Sequence, residues 1–196
     1  MKLTIHTKWY SKQVTEMMTM LQAPRLHWAL RNAVNDTAKQ VERFTEQKVS
    51  KVASVQAKRV KKGVYVNTKA TVDHLEADIR GSATLLPLKF FKARETKRGV
   101  VYTLFGRREI MPHGFIQGGK FPERVDLKMG GNVFQIVDGD RFPIAKQTGT
   151  SIASVMSKSE VSNAIEHYAH ERLATNIRRQ LARQKYAAKK KAKSCF

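Results

Sequence analysis

The sequence, 196 residues long, predicts an α+β fold: a long N-terminal helix and a long C-terminal helix packed on a small antiparallel β-sheet, with an extended loop or flap. Three observations predict it. Apolar residues recur at helical spacing up to about residue 62, they then fall into short runs punctuated by glycine, and helical spacing returns after residue 158. The expected organisation is a single domain over 1–185, helical over 11–62, β-rich over 72–145 and helical over 159–190. A basic tail over 186–196 is expected to fray. A chain of this length with 41% hydrophobic residues can bury a core without metals or disulfides.

Leu3 and Ile5 alternate with polar neighbours and predict a short strand. Val14, Met17, Met18 and Leu21 then mark a helix over 11–21, a stripe that belongs to a core or a subunit contact rather than to a cofactor site. Pro24 opens the longer helix, a position where its missing N–H is harmless. Leu26, Leu30, Ala33, Val34, Thr37, Ala38, Val41 and Phe44 fall on one face, opposite Arg31, Asn35, Lys39, Glu42 and Glu46. The pattern weakens through Val49, Val52 and Val55 and ends in Lys58-Arg59-Val60-Lys61-Lys62-Gly63, where glycine can stop a helix.

Strand patterns occupy the middle. Ala77 and Ile79, then Leu86, Leu88 and Phe90, then Val100, Tyr102 and Leu104 alternate as candidate strands, with 92–99 (KARETKRG) as a charged turn. Residues 112–131 carry Gly118-Gly119 and Gly130-Gly131 and predict a long loop of the kind that carries function or interface. Asp138-Gly139 between the apolar runs 133–137 and 141–144 predicts a hairpin, with Pro143 confining the second run to an edge. Ser157 and Glu160 have the spacing of a capping box for the last helix, whose stripe is Val161, Ile165, Tyr168, Ala169, Leu173, Ile177 and Leu181.

Thirty-seven Lys and Arg against sixteen Asp and Glu give a net charge of +21. Such an excess favours a polyanionic partner: nucleic acid, an anionic membrane or an acidic protein surface. It is concentrated in two places. Lys58, Arg59, Lys61 and Lys62 form one cluster, readable either as a solvated helix end complementing the macrodipole or as a phosphate-contacting patch. Arg172, Arg178, Arg179 and Arg183 form the other, on a helix that has no acid after Glu171.

Recognisable catalytic chemistry is missing. The chain lacks a Gly-Lys-Ser/Thr phosphate loop, a G-x-S-x-G elbow, H-E-x-x-H and C-x-x-C. His167 and His170 lie one turn apart beside Glu166 and Glu171, but a metal needs further ligands, and a charged helix face is the simpler reading. Cys195 is the single cysteine, so no disulfide forms within one chain. The segment 1–8 has no apolar core of a secretory signal, and no stretch approaches a membrane span. The expectation is therefore a non-enzyme without cofactor or metal and with no membrane partner, made in the cytoplasm.

Several segments, in order, resemble the minor tail protein Z (tail completion) family of lambda-like tailed phages. The helix opening at Pro24 and the basic 58–62 segment come first, then Asp78-Ile79-Arg80-Gly81, Leu86-Pro87-Leu88-Lys89, the basic stretch 92–98 and Gly106-Arg107-Arg108. His113-Gly114-Phe115-Ile116-Gln117 is similar to that family's Gly-Ala-Phe-Ile-Gln segment, and Arg141-Phe142-Pro143-Ile144 to its Arg-Tyr-Pro-Ile. A small-residue stretch over 150–155 and a basic terminal helix complete the order. The likeness spans about 170 residues as element order and short motifs. The run 3–9 has no counterpart that can be placed, and the central loop is less basic than in the type member.

The resemblance implies a virion protein, assembled in the host cytoplasm, at the head-proximal end or neck of the tail. It implies a homo-oligomeric ring, often hexameric, around the DNA channel, with tail tube or terminator proteins and head-joining proteins as neighbours. Phe115, Ile116 and Gln117 would then pack either between subunits or within the core, and the two basic clusters would meet genomic DNA without reading its sequence. A stand-alone, sequence-independent nucleic-acid-binding protein is the alternative that the charge alone allows.

Overall fold

The structure, a computed structural model, describes residues 25–120, 122–137 and 143–193. The expected strand at Leu3 and Ile5, the helix over 11–21, the Pro24 opening, the Asp138-Gly139 turn with Arg141 and Phe142, and Cys195 lie outside the described residues. The elements in order are α1 (Arg25–Ala53), α2 (Ala57–Lys61), β1 (Val64–Thr68), β2 (Asp78–Gly81), β3 (Leu85–Pro87), a 3-10 turn (Leu88–Phe90), β4 (Arg94–Thr96) and β5 (Gly99–Leu104). They continue with β6 (Arg107–Pro112), β7 (Gly114–Phe115), β8 (Phe134–Ile136), β9 (Ile144–Lys146), β10 (Thr148–Ser151), α3 (Ile152–Met156) and α4 (Ser159–Lys193). The class is α+β, with a long helix near each end of the described chain. In place of one small sheet there are four, ordered β1-β2, β3-β10, β4-β5-β6 and β7-β8-β9, because strands of two to six residues are cut short by turns.

These elements group into two compact units. The first holds residues up to Thr45, Val64–Arg80 and the chain from Ser159; the second holds Glu46–Gly63 and Gly81–Lys158.

In the first unit the two long helices form an antiparallel pair, since partners rise along one as they fall along the other. Phe44 stacks on Tyr168 at 4.2 Å, Thr37 meets Asn176, and Asp36 meets Gln180. Ala29 and Ala33 of α1 pack with Leu173, Ile177 and Leu181 of α4, flanked by Leu26, Leu30 and Val34. Small residues on one helix let larger ones on the other lie close, as ridges fit grooves. Both predicted stripes are thus the packed faces. One buried polar cluster interrupts the apolar seam. The Asn176 amide, 2% exposed, donates to Thr37 Oγ1 at 3.0 Å and to Gln40 Oε1 at 3.3 Å, while Thr37 donates to the Ala33 carbonyl at 2.7 Å. Asn35 donates to the Ala70 carbonyl and accepts from the Ala70 N–H, which fixes the segment after β1.

In the second unit α1 ends because Ser54 takes φ +59°, and the Ser50 hydroxyl caps the turn by donating to the Val55 carbonyl at 2.7 Å. The helical pattern expected through 62 is therefore broken before α2. Gly63 follows as expected, buried where Ile152 fills the place of a side chain. The segment 92–99 is not all turn. Arg94, Glu95 and Thr96 pair with Val101, Val100 and Gly99, leaving only Lys97 and Arg98 at the tip. Gly99 takes φ +132° against the Met111 carbonyl, a geometry closed to other residues. The next hairpin, β5–β6, turns on Phe105 and Gly106, both at positive φ, which matches strand twist. The Gly106 N–H donates to Ser54 Oγ at 3.0 Å.

Two further expectations change at the C-terminal end. Ser157 does not cap α4: its hydroxyl donates to the Ala153 carbonyl at 2.9 Å and it closes α3. Ser151 is the N-cap that forms, accepting from the Ser154 N–H at 3.1 Å. Helix α4 runs to Lys193, through most of the tail expected over 186–196. Its last turns contain Ala, Lys and Gln without Gly or Pro, all good helix formers, and cations suit a helix C-terminus.

Two outcomes follow from this packing. Asn176→Ala removes both bonds to α1 and should lower unfolding free energy by about 1–3 kcal/mol in urea titrations followed by circular dichroism. Gly99→Ala should cost about 2 kcal/mol or more in the same measurement, from a strained φ and a collision with Met111.

Candidate polyanion interface

The first cation cluster sits on α2 in the second unit. Val60, fully buried, points its short helix inward, so Lys58, Lys61 and Lys62 face solvent. Arg59 does not: its guanidinium lies 4.8 Å from the centroid of the Phe90 ring and is half-buried. Lys89 approaches the same ring at 5.4 Å and donates to the Gly130 carbonyl at 2.7 Å, holding the end of the long loop. The four residues are therefore three free-standing cations and one packing residue.

The second cluster lies on α4 in the first unit, and helix geometry divides it. At ~100° per residue, Arg172, Arg179 and Arg183 share a strip along the edge of the α1 contact, while Arg178 points away. Arg172 is half-buried 5.1 Å from the Tyr168 ring. Arg179 donates to Asp36 Oδ2 at 2.9 Å, and Gln180 donates to the same oxygen at 2.6 Å. The Arg179–Asp36 pair is substantially exposed, so it positions the guanidinium more than it stabilises the fold.

A groove of about 540 Å³ opens beside this strip. Helix α1 lines it with Asn32, Asn35, Asp36 and Lys39, and α4 with Arg179, Gln180, Arg183 and Gln184. Among the described residues the polar lining is three cations, four amides and a single carboxylate, a set rich in donors. Sequence reasoning found the two arginines but missed Lys39 and the amides. The signal was present as the polar face of α1, Asn32, Asn35 and Lys39 at helical spacing, but only the register with α4 makes it a wall.

The long loop carries the third predicted group. Phe115 pairs with Phe134 across β7 and β8, their rings 6.1 Å apart. Ile116 is half-buried, and Gln117, exposed, donates its N–H to Glu95 Oε2 at 3.1 Å. Glu95 also forms an ion pair with Arg124, both side chains largely buried. The Phe-Ile-Gln segment is thereby fastened within the second unit.

Tyr102 donates to Glu109 Oε2 at 2.7 Å across the β5–β6 hairpin, and this hydrogen bond, with burial and the Glu109 charge, pushes its pKa up to about 12. His167 and His170 are exposed on α4. Among the described residues no three His, Cys, Asp or Glu side chains gather as a metal site, and no helix is long and apolar enough to cross a membrane. Comparison with protein-family models, with curated proteins and with solved structures finds no match.

The two kinds of cation on α2 respond differently to substitution. Replacing Lys58, Lys61 and Lys62 with Gln should leave stability within about 0.5 kcal/mol, whereas Arg59→Ala should cost about 1 kcal/mol by loss of its stacking on Phe90; thermal unfolding of both variants checks this.

Proposed function

We propose that this chain is a structural virion protein of a tailed phage, a tail completion or head–tail joining subunit that forms a ring around the DNA channel. The observation that carries the reading is the cation-and-amide lining of the α1–α4 groove beside the strip of Arg172, Arg179 and Arg183. Such a surface suits phosphate oxygens, which it can meet by charge and hydrogen bonding independently of base sequence. The ordered segments His113–Gln117 and Arg141–Ile144, similar to those of the tail completion family, support the placement in a tail. The net charge of +21 supports a polyanion as neighbour. In this reading the protein binds and assembles rather than catalyses.

Three measurements test it. Mass spectrometry of purified particles should detect the chain, and mass photometry should find closed oligomers. Changing Arg172, Arg178, Arg179 and Arg183 to Gln should weaken retention of DNA, equally for unrelated sequences, with a shallower dependence on salt. Absence from particles together with a monomer or dimer that still binds DNA tightly would favour the stand-alone nucleic-acid-binding protein.

A further inference from the structure

We infer that the groove between α1 and α4 is a seat for a backbone phosphate of nucleic acid, gripped by Lys39 from one helix and Arg183 from the other. This rests on the proposed contact with DNA and names where one such contact is made.

The argument starts from which donors are already engaged. Asp36 is the single acid lining the groove among the described residues, and its Oδ2 takes both Arg179 and Gln180. Lys39 and Arg183 have no ion-pair partner among the described residues, although both line the same cleft. Asn32 accepts from the Arg31 guanidinium at 2.9 Å and 3.2 Å through Oδ1, which leaves its amide N–H groups available as donors. Gln184, from the far wall, makes no side-chain hydrogen bond to the described residues. The free capacity of the groove is therefore two cations and amide donors on opposing walls.

That capacity selects the ligand. A carboxylate holds its two oxygens in one plane with its carbon chain, whereas a backbone phosphodiester projects two charged oxygens from a tetrahedral phosphorus, outward from the strand, where donors on both sides of a cleft can meet them together. Asp36 sets a second condition. Its negative charge lowers the attraction of the site for small mobile anions while keeping Arg179 at the rim. A polyanion, drawn in by the whole basic surface and releasing counterions as it docks, overcomes that charge more readily than a free ion does. Because Lys39 and Arg183 come from different helices, the seat exists only when the pair is in register.

The experiment compares wild-type protein with Lys39→Gln/Arg183→Gln, and with Lys58→Gln/Lys61→Gln as a second pair, by fluorescence anisotropy on two unrelated DNA duplexes across a salt series. Circular dichroism and thermal unfolding establish that each variant is folded. The groove pair should lower the slope of log affinity against log salt by about one, the loss of a single phosphate contact, alike on both duplexes. In parallel, side-chain amide resonances of Asn32 and Gln184 should shift on adding duplex in NMR spectra of the wild type, and shift less with inorganic phosphate at equal phosphate concentration. Unchanged affinity and slope in the folded groove pair, while the α2 pair weakens binding, would overturn the phosphate seat and leave the DNA contact standing. Wild-type protein that binds neither duplex at low salt would overturn both. Amide shifts produced by inorganic phosphate but not by duplex would overturn the backbone ligand in favour of a free phosphate.

Discussion

The hydrogen bonds of Asn176 to Thr37 and Gln40 are the constraint on which the first unit turns. The apolar seam around them is made of alanine, leucine and isoleucine, flanked by valine, and apolar burial is non-directional, so it distinguishes one register from another less sharply than a hydrogen bond does. A buried amide does not tolerate sliding. Displaced by one turn, it would lose both acceptors and leave a desolvated donor, a penalty of about 1–3 kcal/mol. A polar group inside an otherwise apolar helix pair thus fixes register, as a single asparagine does in coiled coils. Register in turn decides that Asp36 faces Arg179 and Gln180, and that Lys39 shares a cleft with Arg183.

The cations of this chain serve more than one purpose. Arg59 and Arg172 lie against aromatic rings, where a flat, weakly hydrated guanidinium packs well, and each has a buried Nε without a hydrogen-bond partner. Arg124 is enclosed with Glu95. Lys58, Lys61, Lys62, Arg178 and Arg183 remain exposed, and these keep their charge for an external anion. A large formal charge therefore overstates the binding surface, because some of it is architectural.

Much of the α+β organisation was legible in the sequence. Periodic stripes on α1 and α4 are long, and a stripe that must be buried leaves a mark at every turn. Strands β4 and β6 were not legible: Arg94-Glu95-Thr96 and Arg107-Arg108-Glu109 look like surface loop, and cross-strand pairing with the apolar β5 makes them strands. Nor could spacing reveal that Ser157 closes one helix rather than opening the next, since both uses need the same residue. The basic clusters were visible as composition. Their division into stacking and free cations depends on which rings the fold brings beside Arg59 and Arg172, and the groove joins Lys39 to Arg183, more than a hundred residues distant in the chain.

Glu95 deserves its place for a reason that concerns chain entropy. It accepts the Gln117 N–H and pairs with Arg124, both in the loop that runs from β7 to β8. A long unanchored segment explores many shapes, and ordering it on contact with a neighbour would cost most of the free energy of that contact. Fastening it partway along divides it into two shorter closures, each with fewer conformations to lose. The bridge between Gly118 and Val125 narrows the first of these again. The exposed Val125, Leu127 and Met129 are thus carried on a stretch that is already ordered before anything meets it.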